Sequence, residues 1–301
     1  MLKPKTSGTE YESWMLPKNR KEVFFDVIKL HWGKFIMFGF LMLLFAFPIH
    51  AYAIAEDFYE MQLYATLPST PTEEQVASIV SAIMTFNFIR NAVNVLLLLL
   101  FSVGLSGMAR IIRQYCCGEK VDFGQDFILG IKQNGKQFAL IALIAGIVAF
   151  VCNYISNISS TIVTNRVFEW IGIIPSILCA VFLIPITGYA IVASTCYENK
   201  LRHNFKIGRV CYFKYLWKTL LACVCCLVVF VVQMLPFFLS HLIGRLVATL
   251  LIPEIMLGWY LFAFGRLDEV VNKKIHPELV GKGIHIPETV ENKKEKSSLE
   301  E

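Results

Sequence analysis

Long apolar runs alternate along the chain with shorter polar and basic segments. A helix of roughly 20 apolar residues crosses the hydrocarbon core of a bilayer, which is about 30 Å thick. The pattern therefore predicts an all-α, polytopic transmembrane helical bundle. Its six spans are expected at Phe35–Ala55, Ala92–Ile111, Gln137–Ile155, Val167–Ser194, Leu216–Leu239 and Ile243–Phe264.

Three of the connecting segments are basic and each precedes an odd-numbered span. Lys18–Trp32 has the apolar spacing of a helix in the interface, and Gly33-Lys34 is expected to bend it into the first span. Asp122 can cap a second short helix, which a turn at residues 134–136 (Asn-Gly-Lys) ends. The third basic segment is Tyr197–Lys218. These elbows predict three elbow-plus-hairpin units of one orientation. The alternative is that any cytoplasmic elbow has this composition.

The remaining connections are short or acidic. Glu56–Thr70 is expected to be a loop, and Thr70 is expected to begin an amphipathic helix through a capping box with Glu73. Segment 56–90 is thus an outer insertion. Shorter connections are predicted at Ser156–Arg166 and around Ser240-His241, and Pro175 with Pro185 is expected to tilt or break the fourth span.

Composition supports a membrane protein over a soluble one. The chain is 56% hydrophobic and 17% charged, whereas soluble domains are about 45–50% apolar and about 25% charged. The predicted organisation is a cytoplasmic segment 1–34 with its interfacial helix, a membrane domain 35–265 and a polar cytoplasmic tail 266–301. The tail is expected to be largely disordered, with the disorder beginning at about Gly283. The net charge of +5 comes from residues that flank the spans, so nucleic acid is not an expected partner.

Lysine and arginine are sorted to one side of the predicted spans. Seven precede the first span, five lie in residues 110–136, six in residues 200–218 and seven from residue 266 onward, which leaves Arg90, Arg166 and Arg245 outside. Positively charged loops stay in the cytoplasm. Both termini are therefore expected to be cytoplasmic, in a multi-pass protein of the plasma membrane.

Catalytic and metal-binding patterns are missing from the sequence. No phosphate-binding loop, nucleophile elbow or paired metal-ligand motif is present, so neither an enzyme nor a cofactor is predicted. The nine cysteines lie in spans or cytoplasmic elbows, where thiols stay reduced.

Three charged residues are the main functional candidates. Glu254 lies in the middle of the sixth predicted span after Pro253, and an intramembrane carboxyl is a candidate proton, cation or substrate site. The favoured alternative is a neutral carboxyl hydrogen-bonded between helices, and a displaced span boundary is the third explanation. Arg110 and Arg113 share one helix face and can contact lipid phosphates or an acidic partner.

The segment from Gly104 to Phe138 resembles the YesL-like family of bacterial integral membrane proteins, a domain family of unknown function. Two glycines lie at the end of a predicted span, and a basic helix terminus and a Gly-Glu turn follow them. An Asp-Phe pair and a Lys-x-Asn pattern come next. The matching residues are Gly104, Gly107, Arg110, Arg113, Gly118, Glu119, Val121, Asp126, Phe127, Gly130, Lys132, Asn134 and Lys136. The chain departs from the family in its insertion, Glu56–Arg90.

The resemblance implies a small membrane protein found alongside carbohydrate uptake systems, with no established activity. The first hypothesis is therefore an accessory or regulatory component of a carbohydrate transport system, with subunits of an ABC-type sugar transporter as partners. The alternative is a small secondary transporter that uses Glu254. An intramembrane enzyme is the third and least favoured hypothesis.

The charge bias predicts which side of the membrane each fusion would face. A reporter joined after His285 should be active only in the cytoplasm, because the tail follows a sixth span whose basic end is retained there. Activity only outside the cell would overturn the topology.

Overall fold

The computed structural model describes residues 17–66, 72–162, 166–231, 238–275, 277 and 280–284, and every regular element within them is helical. The elements, in chain order, are α1 (Arg20–Ala65), α2 (Glu73–Cys116), α3 (Phe123–Ile162), α4 (Arg166–Leu178), a π-helical segment (Cys179–Leu183), α5 (Ile184–Cys196), α6 (Leu201–Lys214), α7 (Leu216–Val231), α8 (Phe238–Leu250), α9 (Ile252–Leu267), a second π-helical segment (Asp268–Asn272) and α10 (Lys273–Ile275).

Four stretches of the described chain are long and apolar enough to cross a membrane: Arg20–Leu63, Glu73–Cys116, Phe123–Ser159 and Gly172–Cys196. A fifth is possible if Ile243–Leu250 and Ile252–Ile275, which meet at an angle of 47°, form one broken span. Leu216–Cys226 is apolar but shorter. This architecture fits a multi-pass membrane protein, and the predicted number of six spans is not confirmed by it.

The loop predicted at Glu56–Thr70 is wrong over residues 56–65. Helix α1 continues through Glu56 to Ala65, because no glycine or proline interrupts the chain between Pro48 and Leu67. Pro48 itself lies inside the helix. The expected bend at Gly33-Lys34 is found slightly earlier, at His31, whose backbone has non-helical angles.

Helices α2 and α3 also run past predicted boundaries. The capping box is formed by Thr72 with Gln75, not by Thr70 with Glu73, and Thr70 lies outside the described residues. The turn predicted at residues 134–136 is wrong, because α3 is continuous there and Asn134 is buried. The same helix extends to Ile162 and replaces most of the predicted loop Ser156–Arg166, of which residues 163–165 lie outside the described chain.

Prolines break the fourth and sixth predicted spans. The five residues of the first π-helical segment separate α4, which contains Pro175, from α5, which has Pro185 in its first turn. Pro253 lies in the first turn of α9, and the chain breaks just before it at Leu251. Proline lacks an amide hydrogen and crowds the preceding turn, which favours such breaks. The hairpin predicted at Ser240-His241 is wrong, because both residues lie within α8.

The three elbow helices, defined here as residues 20–31 of α1, residues 123–134 of α3, and α6, each pack against a different apolar helix. Arg20 and Phe24 lie against glycines of α9, at Gly265 and Gly258. The start of α3 contacts α2, and Gly208 of α6 lies against the backbone of α5. All three meet at one end of the bundle, which we call the elbow end.

The core is concentrated at the elbow end. Most buried residues of α2 lie in its last fifteen positions, from Ser102 to Cys116, and those of α5 and α9 lie along Pro185–Thr195 and Leu257–Leu267. The first half of α2 is exposed or half-buried apart from Asn91. Large aromatic side chains, among them Phe38, Tyr189 and Tyr212, are fully buried here. The elbow helices therefore cover the best-packed part of the molecule.

The chain after Arg266 is folded as far as the structure describes it, where the sequence predicted a polar tail. Residues 268–272 are π-helical and continue into α10, and Asp268 and Asn272 are buried. Gly283 then approaches the carbonyl of Cys116 at the end of α2 with a positive φ of 85°, which glycine adopts readily. Residues 285–301 lie outside the described chain.

Replacing Gly39 by alanine should destabilise the contact between α1 and α8. A Cβ at this position would lie 2.3 Å from the backbone oxygen of Leu250, so one helix must move, and such overpacking costs about 1–3 kcal/mol. The matched control is Gly33→Ala, since nothing lies within 4 Å of a Cβ there. Thermal unfolding in detergent should show a lower midpoint for Gly39→Ala alone, and equal midpoints would contradict the packing.

Candidate functional site

The residues that carry the family resemblance build the junction of α2 and α3. A Cβ on Gly130 would lie 3.0 Å from both the Cα and the carbonyl oxygen of Gly107, so the two glycines let the helix backbones touch. The ring of Phe127 occupies the space beside Gly107. Gly118, with a φ of 67°, allows the chain to turn between the helices. These residue types are thus explained by close helix packing.

Arg110 and Asp126 form an ion pair across this junction. The guanidinium Nε of Arg110 lies 3.2 Å from Asp126 Oδ1, and its Nη1 donates to Gln133 Oε1 at 2.7 Å. Asp126 also accepts hydrogen bonds from the Gln114 side chain and from the backbone N–H of Asp122. Both side chains are largely buried, and each carboxylate oxygen has a donor.

Arg113 belongs to a second, neighbouring set of contacts. It donates to the backbone carbonyl of Thr195 at the end of α5 and pairs with Glu119 at 3.4 Å. Glu119 also pairs with Lys282 of the returning C-terminal segment at 3.0 Å. The hydrogen bond to Glu119 raises the pKa of Lys282, which is therefore charged at neutral pH. Arg113 thus connects α2, α5 and the C-terminal segment.

A buried polar cluster at the elbow end was not identified from the sequence. Asp268 accepts from Arg20 at 2.5 Å, from Asn272 at 2.7 Å and from the backbone N–H of Gly281 at 3.2 Å. The hydroxyl of Tyr197 donates to Asn272. A signal was present, because Asp268 and Asn272 lie four residues apart directly after an apolar run, where a helix places them on one face.

The two polar sets surround a crevice of about 40 Å³, lined by Arg113, Cys117, Glu119, Cys196, Tyr197, Phe264, Asn272 and Lys282. Such a volume holds only a few water molecules. Burial raises the pKa of the Cys117 thiol, and the nearby Glu119 carboxylate raises it further. Burial also raises the pKa of Tyr197. Neither group is therefore an activated nucleophile or base at neutral pH.

Glu254 lies apart from these contacts, in the first turn of α9. Its side chain is partly buried, and Oε2 is buried without a hydrogen-bond partner in the described part of the chain. Arg245 does not neutralise it, because Arg245 pairs with Asp57 of α1. The structure therefore leaves Glu254 as a separate polar position in an apolar helix.

An apolar cavity of about 210 Å³ lies beside that turn. Ile255 and Met256, the two residues after Glu254, line it together with Leu105, Phe138, Ile184, Gly188, Ile191, Cys223, Cys226, Trp259 and Tyr260. The carboxyl of Glu254 is not part of the lining. An apolar lining of this kind offers no hydrogen-bond partners to an ion or a sugar.

The sequence-predicted site residues therefore do not form one site. Arg110 and Asp126 are paired, Arg113 lies in the adjacent set of contacts, and Glu254 is remote from all three. Asn134 is buried in α3 and makes no hydrogen bond with either arginine or with Asp126. Within the residues that the structure describes, no group of three potential ligands could hold a metal ion.

Comparison with known proteins identifies no relative of this chain. No family model, no curated protein and no solved structure matches it. The YesL-like resemblance therefore remains an expectation from the motif alone.

Replacing Arg110 by glutamine should lower stability. The change removes the cation from buried Asp126, and a hydrogen bond to a charged group contributes about 1.5–3 kcal/mol. Arg202→Gln is the matched control, since Arg202 is exposed and makes no ion pair within the described chain. Thermal unfolding of both variants in detergent checks this, and equal midpoints would show that the Arg110 pair is not structural.

Proposed function

We propose that this chain is an accessory or regulatory membrane protein that binds a carbohydrate transport system. The proposal rests on how the charged residues are paired. The arginines and acids that the sequence singled out at the elbow end contact one another, and the cavity beside Glu254 is apolar. A transporter needs a polar route between its spans, whereas a protein that acts by binding does not.

The proposed architecture has six spans in three elbow-plus-hairpin units. Helix α7, Leu216–Val231, would supply the fifth span, and α8 with α9 the sixth. Support comes from the elbow helices, because two of them pack on the apolar helix that precedes them in the chain. Residues 123–134 pack on α2, and α6 packs on α5. The first elbow has no preceding helix and packs on α9, the last apolar helix. This contact closes the order of the units into a ring, as a threefold repeat would.

The proposed orientation places the elbow end in the cytoplasm of a bacterial cell. The lysines and arginines of the connecting segments are concentrated there, and such residues are retained on the cytoplasmic side. The YesL-like resemblance at residues 104–138 supports the link to carbohydrate uptake, with ABC-type transporter subunits as partners. A regulatory protein in this orientation presents its basic surface to subunits that work at the cytoplasmic face.

The alternative proposal is a small secondary transporter that uses Glu254. It is favoured by the buried, unpartnered Oε2 of that carboxyl and by the broken helices on either side of the bundle, at Cys179–Leu183 and at Leu251. Discontinuous helices and intramembrane carboxyls are common at transport sites. The apolar lining of the neighbouring cavity weighs against it.

Co-purification tests the accessory function. The tagged chain, cross-linked in native membranes and solubilised in a mild detergent, should recover subunits of a sugar transporter at a fixed ratio. A tagged membrane protein of similar size and expression level is the control for carry-over. Recovery no better than that control, across growth on several sugars, would refute the proposal.

Flux measurement distinguishes the transporter alternative from the accessory function. In reconstituted vesicles, the accessory proposal expects neither sugar uptake nor proton movement from this chain alone, with or without Glu254→Gln. Flux that Glu254→Gln abolishes would instead establish the transporter, because only that reading gives the carboxyl a proton or cation to exchange.

A further inference from the structure

A basic cleft lies between α5 and α6, outside the contacts described above. Its volume is about 670 Å³, and its lining consists of Ile186 from α5 and Arg202, His203, Phe205, Lys206 and Arg209 from α6. Arg202, Lys206 and Arg209 are spaced by four and three residues, which places them on one face of the helix. The cleft therefore has three permanent positive charges at one wall.

These charges have no partner among the residues that the structure describes. The six other arginines with described side chains each pair with an acid: Arg20, Arg90, Arg110, Arg113, Arg245 and Arg266. Arg202 and Arg209 differ, because neither they nor Lys206 makes an ion pair or side-chain hydrogen bond with any described residue, and α6 contains no acidic residue. Within the described residues, six arginines therefore have an acidic partner, whereas Arg202 and Arg209 can pair with an external anion.

The opposite face of α6 is held firmly in place. Gly208 packs so closely that a Cβ would lie 2.6 Å from the carbonyl oxygen of Ile186, and Asn204 donates to Gln137 of α3 at 3.0 Å. Asn204, Cys211 and Tyr212 are buried. Because this face is fixed, the basic face is presented in one orientation, and little side-chain ordering beyond the cations themselves is needed on binding.

Apolar surface adjoins the cleft. Val210, Phe213 and Trp217 follow the basic residues along the chain with exposed side chains. Phe182, which is also exposed and lies in the π-helical segment before α5, makes ring contacts with Tyr212 and Phe213 of α6. A ligand with an anionic head and an apolar body matches this surface, whereas a free anion would use the cations only.

We propose that this cleft binds the phosphate headgroup of an anionic phospholipid, with its acyl chains along the exposed apolar side chains of Phe182, Val210 and Phe213. The planar guanidinium groups of Arg202 and Arg209 suit phosphate oxygens, to which arginine donates two parallel hydrogen bonds. Lys206, between them on the helix, adds a third charge. The binding site does not depend on the accessory function proposed above.

Native mass spectrometry of the full-length protein in detergent tests this, with phosphatidylglycerol and phosphatidylcholine as the probes. Phosphatidylglycerol should be retained and phosphatidylcholine should not. The triple variant Arg202→Gln, Lys206→Gln, Arg209→Gln should lose at least about tenfold in apparent affinity, since each cation near an anionic lipid contributes roughly fivefold. The control removes three exposed lysines of α1 and α3: Lys29→Gln, Lys132→Gln, Lys136→Gln.

Each other result overturns the proposal. An equal loss in both triple variants would mean that net charge, not the cleft, retains the lipid. Competition by glycerol phosphate or inorganic phosphate as strong as by the lipid would assign the cleft to a soluble anion. Competition by polyglutamate at matched charge would assign it to an acidic protein. Unfolding midpoints measured without lipid should be equal for both variants, because all six side chains are exposed.

Discussion

The ion pair between Arg20 and Asp268 joins the start of α1 to the second π-helical segment, directly after α9, and the rest of the elbow end is arranged around it. The two residues are 248 positions apart, and both side chains are largely buried. A buried carboxylate is costly unless it is paired and hydrogen-bonded. Here the guanidinium, the Asn272 amide and the Gly281 amide satisfy Asp268 together. This cluster therefore determines where α1 begins and where the C-terminal segment turns back.

Close packing of small residues makes that closure possible. Gly258 and Gly265 of α9 face the first elbow helix, just as Gly107 and Gly130 let α2 and α3 touch and Gly208 lets α6 approach α5. Where an arginine lies in such a contact it finds an acid, as Arg110 finds Asp126. The motif residues between Gly104 and Lys136 thus form a closely packed helix junction. Arg202 and Arg209 of α6 pair with no described acid, and they are the arginines that we propose for recognition.

The sequence was sufficient for the helical class and for the long apolar helices, because an apolar run of twenty residues has few other solutions. It was insufficient for helix boundaries. The turn expected at residues 134–136 relied on Asn and Gly, yet α3 continues because its packing against α2 outweighs their weak local preference. The loop expected after Ala55 was likewise inferred from acidic composition, which does not stop a helix.

The candidate site was predicted only in part, for a physical reason. The pairing of Arg110 with Asp126 spans sixteen residues and follows from two adjacent helices. The cluster of Arg20, Tyr197, Asp268 and Asn272 unites three distant parts of the chain, and no local pattern indicates which of them meet. Glu254 was found because a carboxyl in an apolar run is conspicuous, but its surroundings required the structure.

A double-mutant cycle on Arg20 and Asp268 tests the closure of the bundle most directly. Thermal and denaturant unfolding would be measured for Arg20→Ala, Asp268→Ala and the double variant in the same detergent. Residues in contact show coupling energies of roughly 0.5–3 kcal/mol. The account predicts that the double variant loses less than the sum of the two single losses by an amount in this range. Losses that simply add would mean that α1 and the end of α9 do not meet, and would contradict the account.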